Sequence, residues 1–220
     1  MSEIVNTYLL SKPGQLIPMK RESFYKEQIA AFKKNGKPSR AIELVQILLF
    51  TSDQEIILQK RSNKKKHNAG LMDKSVGGHI QHKNTPTYTV MAETLQELQV
   101  PSFVLNSEDD FDKTLKLLQK YLGSAALVQR IDEKIEILPK VFKGEKIPIA
   151  SKYHFFIGVY DGAVKPIDKE ASGILFYNYN SFKKEIKTTP DFFTDDLKYF
   201  ITKYNKEINN LLLKLKKITK

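Results

Sequence analysis

Glu93, Gln96 and Glu97 stand at i, i+3 and i+4 of a stretch that reads as a helix. That spacing places three oxygen-bearing side chains on one helix face. Two carboxylates one turn apart suit a hard divalent cation such as Mg²⁺ or Mn²⁺, which takes oxygen ligands. Just upstream lie Gly77 and Gly78, where the missing Cβ lets backbone carbonyls come close to such an ion. A basic loop with Arg61, Lys64, Lys65 and Lys66 precedes them. A cation over carboxylates, flanked by Lys and Arg, is the arrangement that handling a diphosphate requires. Arg61 is the leading phosphate ligand of the loop, because a guanidinium at a strand end grips oxygens bidentately. The same residues also read, more blandly, as a solvated helix face and an exposed lysine loop.

Other chemistry-bearing residues are sparser. His79 and His82 are spaced for a transition metal, or for two separate hydrogen bonds. His67 and His154 have no partner visible in the sequence. Glu170 stands ahead of an apolar run at 174–179, and Glu133, Glu136 and Glu145 are the other carboxylates of this later part of the chain.

These residues need a scaffold, and 220 residues suffice for one domain with a sizeable core. Apolar residues make up 41% and charged residues 28%, a globular composition. No apolar run approaches the roughly 20 residues of a membrane span, and no secretory leader is evident in the first residues. The absence of Cys excludes disulfides, thiolate metal sites and a catalytic thiol. Cytoplasm is the default compartment. The formal charge of +11 favours anionic partners, with a generally lysine-rich surface as the plain alternative.

Along the chain, residues 22–34 read as an amphipathic helix closed by Asn35-Gly36. The runs 41–50 and 55–59 read as a hairpin of a central sheet, and 75–80 as a short strand broken by glycines. Residues 87–98 read as a helix with Met91, Leu95 and Leu98 as its core stripe, which points the acidic face elsewhere. A second helix is expected at 109–121, and strands at 127–138, 153–160 and 174–179. Thr194 is an expected N-cap with Asp195 and Asp196 in the first turn, opening one final helix toward Lys216.

The segment from Gly78 to Val100 resembles the Nudix box: a Gly, a spaced Glu, then Arg-Glu-apolar-any-Glu-Glu-any-Gly-apolar. Glu93, Glu97 and Val100 match. Asn84, Ala92, Gln96 and Gln99 replace the first Glu, the Arg, the middle Glu and the late Gly. The upstream words LQKRS, KKK and DKSVGGHI resemble Nudix proteins near isopentenyl-diphosphate isomerase. The resemblance is strongest over 41–100, weaker over 153–204, and little covers 1–40 or 106–150. It implies an α/β fold, a Nudix-type α/β/α sandwich with a mixed central sheet at 41–220, and an N-terminal extension at 1–40 packed on it.

The resemblance also implies an activity: metal-assisted hydrolysis of the pyrophosphate of a nucleoside diphosphate linked to another moiety. Glu93 and Glu97 would hold Mg²⁺ or Mn²⁺, joined by Gln96 and by carbonyls of Gly77 or Gly78. Arg61, Lys64, Lys65 and Lys66 would hold the phosphates, and Glu170, in competition with Glu133, Glu136 and Glu145, would be the late base or extra ligand that Nudix hydrolases often use. Gln96 removes one negative charge, which implies fewer or weaker metal ions and keeps open a non-catalytic Nudix domain that binds a nucleotide or a protein. An RNA-directed hydrolase is the third reading. The isomerase is excluded, since Gly77 stands where its catalytic Cys would be, although His79 matches one of its metal ligands. Monomer and homodimer both remain open.

Overall fold

The computed structural model describes residues 3–164 and 171–218. Strands β1 (Ile4–Val5), β2 (Thr7–Leu9), β3 (Lys12–Leu16) and β4 (Met19–Lys20) lead into helix α1 (Arg21–Asn35). Then come β5 (Arg40–Phe50), β6 (Glu55–Arg61), β7 (Met72–Asp73), β8 (Val76–His79), α2 (Pro86–Leu98), β9 (Ser102–Leu105) and α3 (Glu108–Leu118). The remainder is β10 (Ala126–Phe142), β11 (Glu145–Val159), β12 (Ala171–Asn178), α4 (Tyr179–Thr188), α5 (Asp195–Lys203) and α6 (Asn205–Ile218).

Strand β5 organises the molecule. Every residue from Ala41 to Phe50 is buried, as expected of a strand covered on both faces. Its even-numbered Ile42, Leu44, Leu48 and Phe50 enter one core with α3, α5, α6 and Phe24 of α1. Its odd-numbered Val45, Ile47 and Leu49 enter a second core with Val90 and Leu98 of α2. Helices therefore cover both faces of the sheet. One edge of β5 pairs in parallel with β11. The other is shared in turn by β2, β8 and β6, all antiparallel. The resulting mixed sheet runs β12-β6-β5-β11-β10-β9. The first forty residues extend this sheet through β2 as well as contributing α1.

The structure corrects several sequence expectations. The α2 stripe is rotated: Val90, Thr94, Glu97 and Leu98 are buried, while Met91 and Leu95 are 46% and 55% exposed. Val90 and Leu98 pack into the second core, and the buried Glu97 meets a polar partner there, Gln59, so part of the acidic face is buried with the apolar one. Residues 145–152, with no strand expected, complete a hairpin in which β10 and β11 pair from Leu127↔Val159 to Phe142↔Glu145. The last helix is two, broken at Tyr204, whose hydroxyl donates to Asp132 at 2.7 Å. Helix α4 was not anticipated; Asn178 caps it by accepting from the amides of Asn180 and Ser181. Thr194 caps α5 as expected, accepting from the Leu197 amide. Among the described residues, no helix is long and apolar enough to cross a membrane.

Candidate active site

Gly77 of β8 lies opposite Gln46 and Gly78 opposite Val45. Neighbouring strand residues face opposite sides of a sheet, and here each bare Cα admits a charged side chain. A Cβ on Gly78 would stand 1.9 Å from Glu93 Oε1, and one on Gly77 2.3 Å from Lys74 Cε. Two adjacent glycines thus seat an acid on one face and the stem of a base on the other.

Glu97, one turn beyond Glu93, is only 6% exposed. Its Oε2 accepts from Gln59 Nε2 at 2.7 Å, and the same amide nitrogen donates to the Ser75 carbonyl at 2.6 Å. Gln59 and Asp73 sit opposite each other on β6 and β7. Gln59, Arg61, Lys65, Asp73, Lys74, Gly77 and Glu97 line a small polar cavity of about 30 Å³, about the share of one water or one ion.

Behind the cavity lies a buried charge network. Asp73 accepts from Arg61 at 3.0 Å, from Thr194 Oγ1 at 2.8 Å and from Lys74 Nζ at 3.2 Å. Asp196 accepts from Lys140 at 3.4 Å and from the Tyr153 hydroxyl at 3.1 Å, and stands 3.9 Å from Lys74. Burial would raise the Asp73 carboxyl, but Lys74, Arg61 and the Thr194 hydroxyl outweigh it and hold it below the usual carboxylate range. Burial likewise opposes the Lys140 charge, and Asp196 outweighs it, raising the ammonium. Three cations stand against two carboxylates in this network.

The expected site residues separate. Glu93 meets Gly78, while Glu97, Gly77, Arg61 and Lys65 line the cavity. Arg61 spends its fork on Asp73 and on the His67 carbonyl at 3.2 Å, so it contributes charge more than a spare grip. Gln96, Lys64 and Lys66 are exposed, and Lys66 pairs with Glu22 at 3.1 Å. His79 and His82 turn to different partners, Tyr25 at 2.9 Å and Asn6 at 3.4 Å. Burial, followed by Arg21, keeps the His79 imidazole well below its ordinary value. Glu170 lies outside the described residues. Glu133 and Glu136 are engaged by Lys152 and Tyr199, respectively.

Gln59, Asp73, Lys74, Lys140 and Asp196 were not anticipated. Asp73 and Lys74 stand within the DKSVGGHI word, and Asp196 was read only as a helix-cap charge. Lys140 lies on a stretch that no motif marked.

The Glu93 and Glu97 carboxylates are hard oxygen donors of the kind a divalent cation takes. Among the described residues, no three His, Asp or Glu side chains cluster closely enough to hold a metal by themselves.

No family model and no curated protein matches this chain. Solved structures do. A Deinococcus radiodurans protein superposes with a TM-score of 0.59 over 94% of this chain and 98% of its own, at 13% identity. The Nudix domain of Shewanella oneidensis NrtR, solved with ADP ribose, gives a TM-score of 0.51 at 15% identity, covering 81% of this chain and 97% of that domain. A bifunctional NMN adenylyltransferase/ADP ribose pyrophosphatase from Francisella tularensis, solved with AMP and a manganese ion, gives 0.51 at 16% identity over 86% of this chain. The match spans 47% of that longer protein. The chain therefore has a Nudix-type fold.

Proposed function

We propose that this protein is a divalent-metal-dependent Nudix hydrolase that cleaves the pyrophosphate of a nucleoside diphosphate linked to another moiety. One observation carries the reading: Glu97 and the cations Arg61, Lys65 and Lys74 line the same cavity, with Glu93 seated on the adjoining glycine. Glu93 and Glu97 hold the metal, with the Gly77 and Gly78 carbonyls as further donors and Gln96 at the outer edge. When bound, Mg²⁺ or Mn²⁺ neutralises charge developing on the pyrophosphate oxygens and lowers the pKa of an attacking water. Gln59 holds the Glu97 carboxylate in place. Arg61, Lys65 and Lys74 draw the phosphates toward the glycine corner, with Lys64 and Lys66 adding long-range attraction from the exposed loop. The ADP ribose and manganese bound by the structural neighbours support this substrate class and cofactor.

The test is an assay of ADP-ribose, NADH, dinucleoside polyphosphates, coenzyme A and NTPs with Mg²⁺ or Mn²⁺. One diphosphate-linked substrate is expected to be turned over, and Glu97→Gln to abolish most of that turnover. Full activity in Glu97→Gln would overturn the role given to this residue.

A second reading, a non-catalytic Nudix domain that binds a nucleotide or protein, is favoured by the lack of a third clustered carboxylate. Thermal stabilisation by a nucleotide and metal without turnover would select it. Salt-sensitive RNA binding would select an RNA-directed hydrolase instead.

A further inference from the structure

A larger cavity, about 310 Å³, lies at the other end of β6 and takes no part in the proposed hydrolysis. Gln54 precedes this strand and Gln59 lies near its end, so the two sites are separated by roughly 16 Å at about 3.3 Å per residue. Gln54, Asn178, Tyr179, Asn209, Leu212 and Lys216 are among its lining. The volume sits at the lower end of the range for small-molecule sites, and its mix of apolar surface with a few polar groups is typical of them. Leu212 and Tyr179 are 8% and 2% exposed and form the apolar floor.

The polar part of the lining is unusual in kind. Among the described residues it is made of side-chain amides and the Tyr179 hydroxyl, with Lys216 as the charged residue. The amides are also set by the fold. Asn178 uses Oδ1 to cap α4 through the amides of Asn180 and Ser181 at 3.1 and 3.3 Å, which leaves its NH₂ as the group to present. Gln54 is held at φ 65°, a left-handed conformation uncommon outside glycine. Its carbonyl accepts from the Tyr179 amide at 3.2 Å, tying the β5–β6 turn to α4. Independently, the Tyr179 hydroxyl is buried with no hydrogen-bond partner among the described residues, where buried hydroxyls normally have one.

An Asn or Gln amide offers a donor beside an acceptor, which matches the edge of a ring with the same pair, as on adenine. We propose that this groove is a second, non-catalytic binding site for an uncharged nucleobase. The base edge meets the amides of Gln54 and Asn209, and its ring lies on Leu212. A peptide segment is disfavoured by the size of the cavity.

The test is calorimetric titration of the full chain with adenosine, cytidine and AMP. A nucleoside is expected to bind saturably with a Kd of about 1 mM or tighter. Binding is expected to survive Glu97→Gln and to weaken about tenfold or more in Asn209→Leu and in Gln54→Gly. The glycine at 54 keeps a left-handed backbone without strain, so it removes the amide while preserving the turn. Failure of both nucleosides to saturate overturns the proposal. So does loss of binding in Glu97→Gln, which assigns the base to the other cleft, or AMP binding that persists in both groove variants, which assigns the contact to the phosphate.

Discussion

The Glu93 carboxylate rests directly on the Cα of Gly78, where a methyl group would stand 1.9 Å from Oε1. No side chain fits there unless Glu93 moves, so Gly78→Ala is expected to swing this carboxylate out of the corner. Gly78 is not in the left-handed region, so alanine imposes no backbone strain and the fold should persist. Mn²⁺ titration is expected to show a loss of affinity of about tenfold or more, the scale of disturbing a metal site's geometry. Unchanged Mn²⁺ affinity would show that Glu93 is no ligand.

Gln59 acts on the site through Glu97. Its Nε2 bridges the Ser75 carbonyl and the Glu97 carboxylate at 2.6 and 2.7 Å. Gln59→Leu keeps the volume and deletes the bridge. Metal affinity is expected to fall about 10–100-fold, as for other partners that orient ligands. The melting temperature without metal separates this from a packing defect: a loss of affinity with little change in melting supports the positioning role.

How much of this was readable beforehand follows from the range of each interaction. Glu93, Glu97, Gly77 and Gly78 were legible because helical spacing and a glycine pair are local patterns, and the Nudix resemblance rests on them. The facing of α2 was not, since Met91 and Leu95 are as apolar as Val90 and Leu98, which became buried. The partner that accommodates the buried Glu97 is Gln59, 38 residues earlier in the chain. Asp73 meets Thr194 across 121 positions, and Asp196 meets Lys140 across 56. No periodicity encodes such contacts; they arise from how β6, β7, β10 and α5 converge.

Asp73 holds that convergence together, facing Arg61, Lys74 and Thr194 from a buried position. Asp73→Asn leaves two buried cations short of their counter-charge, and breaking such pairs costs about 3–5 kcal/mol. Urea denaturation at neutral pH is the measurement. The double variant Asp73→Asn, Arg61→Met removes one of the orphaned charges and is expected to cost less than the two single changes added together. Strict additivity would show that Arg61 and Asp73 do not depend on each other.

Two half-buried histidines set the response to acid. Burial, then Lys140 and Arg61, push His67 down to about 2, and burial with Arg21 pushes His79 well below its ordinary 6.5. Both are neutral in the folded chain at any mildly acidic pH, whereas the unfolded chain protonates them near 6.5. The unfolded state then binds more protons, so stability rises with pH up to about 6.5 and is lost below it, by up to about 1.4 kcal/mol per pH unit for each histidine. Glu43 extends the loss. Burial would raise it, but hydrogen bonds from His154 and Asn6 and the Lys152 charge hold it at about 2 instead of 4.5, so its contribution disappears as pH falls from 4.5 toward 2. Unfolding free energies measured in urea between pH 7.5 and 4 are expected to fall with this slope. His79→Gln keeps a partner for the Tyr25 hydroxyl and should flatten the slope between pH 6 and 5 by about one proton. A variant that runs parallel to the parent would mean that His79 takes up its proton in the folded chain as well.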